Sequence, residues 1–228
     1  MANENAVILF TRVPLPGTTK TRLRPVLSAE ECCLLQTAFL HDVFEVLKKT
    51  QTVFDLFVFY TPEGELDVLE QMLPDAETFL PQTGADLGQR MHNAFSKVLG
   101  IGYERCLLIG SDLPLLTAQA VDEAFSLLDN TDVVLSPTED GGYYLIGLKE
   151  PCEELFKVEE YGVSTVFEKT MSAAIKAGRT CAVGTATMDV DDPRDLRALR
   201  ERLATSSLDV AVEARRVLEQ ISGGSLYE

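Results

Sequence analysis

The chain has 228 residues and a formal net charge of −16, with 20 Lys and Arg against 36 Asp and Glu. A hydrophobic content of 46% with 25% charged residues is that of an ordinary soluble globular protein, and the length supports a sizeable core. Such acidity argues against nucleic acid or an anionic membrane surface as partner, since neither polyanion is drawn to it. The opening Met-Ala-Asn-Glu-Asn lacks the basic and apolar regions of a signal peptide, and no apolar run approaches a membrane span, so a cytoplasmic protein is expected. Five cysteines, at 32, 33, 106, 152 and 181, show no C-x-x-C spacing and are expected as free thiols. With His41 and His92 as the only histidines and no G-x-S-x-G, neither a zinc site nor a Ser-His-Asp hydrolase is expected.

Residues 6–10 (AVILF) read as a buried strand that empties into a Pro/Gly loop, residues 11–25. The loop begins at Thr11 and carries Arg12, Lys20, Arg22 and Arg24, yet no Asp or Glu occurs between Glu4 and Glu30. A cation-bearing turn kept free of acid in so acidic a chain suits a phosphate, with Pro14, Pro16 and Gly17 shaping the backbone. Lys20 and Arg22 are expected as exposed loop charges, whose removal weakens nucleotide binding and hardly changes stability. The first helix opens on a capping box, Ser28 to Glu31, and lines up Cys32, Leu35, Phe39, Val43 and Val46 on one face.

Further strand-like runs follow at 53–60, 77–80, 105–109, 132–136, 143–148 and, more weakly, 180–184. Amphipathic helical stretches lie at 64–73, 86–99, 117–128, 163–177, 193–203 and 207–221. This alternation implies an α/β domain with a mostly parallel sheet covered by helices, interrupted by a hairpin between 132–136 and 143–148. Residues 1–204 are expected to form one domain. Residues 205–228 form a C-terminal helix and tail that pack on that domain or on a second subunit, so a homodimer stays open, and Gly223-Gly224-Ser225 should fray.

Asp112 follows the apolar run ending at Ile109, at the carboxyl end of a central strand, where open α/β sheets bind ligands. With Gly110 and Ser111 beside it, it suits a divalent metal that holds phosphates; alternatively it caps the turn before the helix at Thr117. In Asp189-Val190-Asp191-Asp192-Pro193-Arg194-Asp195, Asp192 reads as an N-cap before a first-turn proline and Asp195 as a first-turn acid. Asp189 and Asp191 have no such role and point to one side of an extended segment, where they can share a metal or supply a base. Residues 82–90, with Gln82, Gly84, Asp86 and Arg90, form a glycine-bearing loop able to approach a flat base. The Glu139-Asp140-Gly141-Gly142 turn projects Asp140. A P-loop and a G-x-G-x-x-G are both absent after the first strand, which disfavours a P-loop NTPase or a nicotinamide dehydrogenase.

Taken in order, P-x-P-G-x-x-K-T-R-L, Q-x-G-x-D-L-G-x-R-M, L-I-G-S-D-x-P-x-L, P-x-x-D-G-G-Y-Y-L-I-G-L and D-V-D-x-P-x-D-L resemble one family over roughly residues 6–200. It is a bacterial family assigned as glycosyltransferases within the nucleotide-diphospho-sugar transferase superfamily, with the GT-A fold. More distantly the chain is similar to the guanylyltransferases acting on molybdenum cofactor and phospholactate. The resemblance implies that Arg12, Gly17, Lys20 and Arg22 hold nucleotide phosphates, and that Gln82, Gly84 and Asp86 lie against base and ribose. It also implies that Asp112, with Asp189 or Asp191, binds Mg²⁺ or Mn²⁺, and that Asp140 faces the second substrate. Arg12 stands where the family pattern has Lys, and Val163 where it has Trp.

The first functional expectation is metal-dependent glycosyl transfer from a nucleotide sugar to a small-molecule acceptor, with Asp112, Asp140 and Asp191 as catalytic groups. The second is nucleotidyl transfer from a nucleoside triphosphate, releasing pyrophosphate. The third is a nucleotide-sensing module without turnover.

Overall fold

The computed structural model describes residues 3–158, 161–162, 164–207 and 209–221; Val163, Leu208 and the 223–225 tail therefore lie outside the described residues. Seven strands form one sheet: β1 (Asn5–Arg12), β2 (Asp55–Thr61), β3 (Phe79–Pro81), β4 (Arg105–Gly110), β5 (Val133–Pro137), β6 (Tyr143–Leu148) and β7 (Cys181–Val183). Their order is β3-β2-β1-β4-β6-β5-β7. All pairings are parallel except those of β6, which runs antiparallel between β4 and β5. The hairpin expected from the sequence is this one reversed strand.

The helices are α1 (Ala29–Leu47), α2 (Leu66–Met72), α3 (Leu87–Leu99), α4 (Ala118–Leu128), α5 (Val166–Lys176), α6 (Pro193–Thr205) and α7 (Val212–Ile221). Continuous apolar runs form the central strands because both sheet faces are covered. In β1, Val7 and Leu9 join a cluster with Val43, Leu69 and Phe125 of α1, α2 and α4. Ala6 and Ile8 turn the other way, toward Phe95 of α3 and Ala174 of α5. The single stripe expected on α1 serves two cores. Its C-terminal half packs on the sheet, whereas Cys32, Leu35 and Phe39 meet Leu199 of α6 and Leu218 of α7 in a third cluster.

Boundaries shift for local reasons. Val53 is exposed, so the apolar run at 53–60 becomes a strand only from Asp55, where pairing with Ala6 begins. The stretch at 64–73 opens as a 3-10 turn over Glu63–Glu65 before α2. At 163–177 the helix starts at Val166, because the backbone of Ser164 is pressed against Gly141: a Cβ there would lie 2.1 Å from the Ser164 carbonyl oxygen.

Because β1, β3, β4, β5 and β7 all run the same way, the segments that follow them leave at one edge of the sheet. Those segments contain the five motifs singled out above, and an isolated bridge between Thr138 and Thr187 ties the last two together.

Candidate active site

The loop after β1 is fixed by short-range bonds. Gly17 adopts φ +84°, the left-handed region that favours glycine, and the Leu15 amide donates to the buried Thr19 hydroxyl at 2.9 Å. Lys20 is also left-handed (φ 48°, ψ 43°), and it opens a single 3-10 turn whose Leu23 is fully buried. That anchor turns the Lys20 side chain inward. Only 4% of it is exposed, which overturns the expectation of a solvated loop charge.

The Lys20 ammonium lies 2.7 Å from Asp112 Oδ2 and 3.0 Å from Asp191 Oδ1, and donates to the Val190 carbonyl at 2.6 Å. Burial pushes its pKa down, but the two carboxylates outweigh burial and the net shift is upward, so Lys20 is a fixed cation. Arg22, two-thirds exposed, faces Asp191 Oδ2 at 3.6 Å.

Asp112 is positioned from its other side. Its Oδ1 accepts from Gln36 Nε2 at 2.6 Å, and the same amide reaches the Ser111 hydroxyl at 3.1 Å. Ser111 in turn bonds the Thr11 hydroxyl at 2.9 Å, tying the ends of β1 and β4 together. Gln36 was missed by the sequence reading, although a signal existed: an amide interrupts the apolar face of α1 one turn after Cys32 and one before Leu40. It is 3% exposed, and a buried amide on a core-facing stripe needs a polar partner.

Asp189 has no such support. Burial first, then Asp140 and Asp191, raise its pKa to about 7, with Lys20 only partly opposing them. Asp192 behaves as expected of a cap: it accepts from the Arg194 and Asp195 amides, and the Arg194 side chain lowers its pKa to about 2. The Asp140 carboxylate accepts from the Thr138 hydroxyl and from the Gly142 amide, which shapes the turn.

These groups surround a cleft of about 670 Å³. Thr11, Arg12, Lys20, Arg22, Gln82, Arg90, Asp112, Asp189 and Asp191 all line it. Gln82 is oriented by its Nε2, which donates to the Thr11 and Phe59 carbonyls and leaves Oε1 as the edge available to a ligand. Gly17, Gly84 and Asp86 shape the site from outside the cleft wall. Gly84 takes φ +140°, and Asp86 caps α3 through the Gln89 amide at 2.8 Å. Asp140 faces a smaller neighbouring pocket of about 220 Å³ with Tyr143, Tyr161 and Val166, none of which the sequence reading had assigned to a site.

Among the described residues no three His, Cys, Asp or Glu side chains form a ready metal cluster. The donor set nonetheless fits a hard cation. Two carboxylate oxygens, from Asp112 and Asp191, already converge on one positive charge, that of Lys20. Mg²⁺ commonly needs only one or two protein carboxylates when phosphates supply its other ligands.

A family model matches residues 45–163, more than half of the chain: that of an uncharacterized protein conserved in bacteria, DUF2064. The chain belongs to DUF2064. This DUF2064 chain is 29% identical over 209 residues to a 2-phospho-L-lactate guanylyltransferase of Methanopyrus kandleri, covering 90% of the chain and 92% of the relative. It is 26% identical over 186 residues to a phosphoenolpyruvate guanylyltransferase of Sphaerobacter thermophilus, covering 80% and 87%. A crystal structure from Desulfovibrio desulfuricans G20, provisionally named a nucleotide-diphospho-sugar transferase, superposes with a TM-score of 0.86 at 29% identity, covering 96% of each chain. Transferase is the class these relatives share, and this DUF2064 chain is a transferase.

Proposed function

We propose that the protein is a nucleotidyltransferase that moves a nucleoside monophosphate, guanosine monophosphate by kinship with the guanylyltransferases, from a nucleoside triphosphate to a small-molecule acceptor. The observation that carries this reading is the pairing of Arg12, Lys20, Arg22 and Arg90 with Asp112, Asp189 and Asp191 in one cleft. Four cations suit a triphosphate, whereas the carboxylates suit the divalent ion that accompanies it.

In this mechanism Arg12 and Arg22 grip the phosphates, and the Gln82 carbonyl oxygen accepts from an N–H on the base edge. An acceptor oxygen attacks the α-phosphorus, the bond from that phosphorus to the β-bridging oxygen breaks, and pyrophosphate leaves with the electron pair. Asp112, together with Asp189 or Asp191, would hold Mg²⁺ or Mn²⁺. The ion supplies neutralisation of the charge that grows on the phosphate oxygens. Gln36 and Ser111 keep the Asp112 carboxylate in place, so little reorganisation is needed as that charge develops.

Glycosyl transfer from a nucleotide sugar is the second reading, favoured by the name given to the Desulfovibrio structure. The released product separates the two. With GTP, Mg²⁺ and a panel of acceptors, ³¹P NMR should show pyrophosphate. Release of a nucleoside diphosphate from a nucleotide sugar, with none of the four nucleoside triphosphates consumed, would overturn the nucleotidyl reading.

A further inference from the structure

Lys20 occupies the point where two carboxylates and a carbonyl converge, a set of oxygens that a hard cation also takes. An ammonium has three N–H donors, and each meets an acceptor here: Asp112 Oδ2 at 2.7 Å, Asp191 Oδ1 at 3.0 Å and the Val190 carbonyl at 2.6 Å. Only 4% of the side chain is exposed, so little water competes for it. Both oxygens of Asp112 are engaged, Oδ1 by Gln36 Nε2 and Oδ2 by Lys20. Asp191 presents Oδ1 to Lys20 and Oδ2 to Arg22.

A divalent ion bound through Asp112 Oδ2 at roughly 2.1 Å would lie within about 5 Å of the Lys20 ammonium. Two cations that close repel, and each weakens the hold of the other on the shared carboxylates. The conflict is the same whether Asp189 or Asp191 completes the set, because Asp112 belongs to both. A phosphate resolves it by offering the ammonium another anion, and Lys20 lines the same cleft as Arg12, Arg22 and Arg90. The flexible four-carbon stem lets the ammonium travel while the buried Leu23 keeps the loop in place. Resting on the nucleotidyl reading of this site, with Asp112 as metal ligand, we infer that Lys20 is an internal counter-ion that keeps the metal site closed until nucleotide phosphates draw its ammonium away. Metal and nucleotide then bind as a coupled pair, each raising the affinity for the other, and the nucleotide-free protein has little affinity for a divalent ion alone.

The test is Mn²⁺ binding to the full chain without nucleotide, read by electron paramagnetic resonance of the free ion. Wild type should bind weakly, and Lys20→Met about ten-fold more tightly, a coupling of ordinary size. Excess Mn²⁺ should also raise the melting temperature of Lys20→Met more than that of wild type. Lys20→Gln, whose amide can still bond the Val190 carbonyl, is the second neutral variant should Lys20→Met not fold. Equal or weaker Mn²⁺ binding in the neutral variant would overturn the inference, and so would a tightening that survives an added Asp112→Asn. A second arm titrates a fluorescent GTP analogue in EDTA. Affinity should fall several-fold in the neutral variant, since the ammonium that leaves the carboxylates bonds phosphate; unchanged affinity would overturn that handover. Absence of GTP binding in wild type would count against the nucleotidyl reading alone, because the Mn²⁺ arm contains no nucleotide and decides the role of Lys20 at the metal site by itself.

Discussion

Lys20 joins the anion-binding loop to the acidic cluster, so its removal should affect both ligand and fold. Lys20→Ala leaves Asp112 and Asp191, each about two-fifths exposed, without their shared cation. The cost should be about 1–3 kcal/mol of stability, the range for a polar group stripped of its partner and kept modest here by solvent. Arg22→Ala removes a side chain that is two-thirds exposed, so denaturant midpoints should hardly move while nucleotide affinity falls by about 1.5–3 kcal/mol. Urea titration and calorimetry on the two variants decide the matter; equal stability losses would mean that Lys20 is not the buried anchor described. The sequence revealed the loop's charge through its lack of acids over 25 residues. It did not reveal the direction of Lys20, because that depends on a left-handed backbone at a non-glycine residue and on the burial of Leu23, both tertiary outcomes.

At the scale of elements, helices and strands were legible because each carries a local signal: the Ser28–Glu31 capping box, the Asp192–Pro193 start, and apolar runs buried on both faces. The start of α7 carries a weaker one. Its first-turn donors are satisfied from another helix, where Asp42 of α1 accepts from the Glu213 amide at 2.9 Å and the Ala214 amide at 2.8 Å. An acid 8% exposed on α1 looks in sequence like any solvated helix residue, and its partners lie 171 and 172 positions away. Arg215 completes the join by donating to the carbonyls of Ser206, Ser207 and Val210 across the turn between α6 and α7. Asp42→Ala should therefore act as a lost N-cap and destabilise the fold by about 1–2 kcal/mol. Hydrogen exchange should show the loss of protection concentrated in α7, with β1 and β4 unchanged. Uniform deprotection would place Asp42 in the general core instead.

For the whole molecule, the decisive fact is that five separated motifs meet because their strands run in one direction. Alternation of strand and helix made that convergence predictable, whereas the placing of Asp189 and Asp191 between the cleft and the smaller pocket beside Asp140 required the register of loops 138–142 and 187–191. The charge balance leads to a kinetic prediction. In the cleft wall four cations face three carboxylates, so local attraction nearly cancels at a distance, while the chain as a whole carries −16. A magnesium-bound nucleoside triphosphate is also negative. At low ionic strength it approaches through a repulsive field, which salt screens as the Debye length falls from ~10 Å at 0.1 M to ~3 Å at 1 M. Contacts inside the cleft, at 2.7–3.6 Å, are shorter than the Debye length at 0.1 M, and salt weakens them only after encounter. The association rate for GTP with Mg²⁺ should therefore rise between 20 and 200 mM NaCl, about the reverse of the usual electrostatically steered case, while the dissociation rate rises as well. Stopped-flow fluorescence with a labelled GTP analogue measures both rates. An association rate that falls steeply with salt would mean that the cleft's own cations dominate the approach, and that the −16 is distributed away from the edge where the five motifs meet.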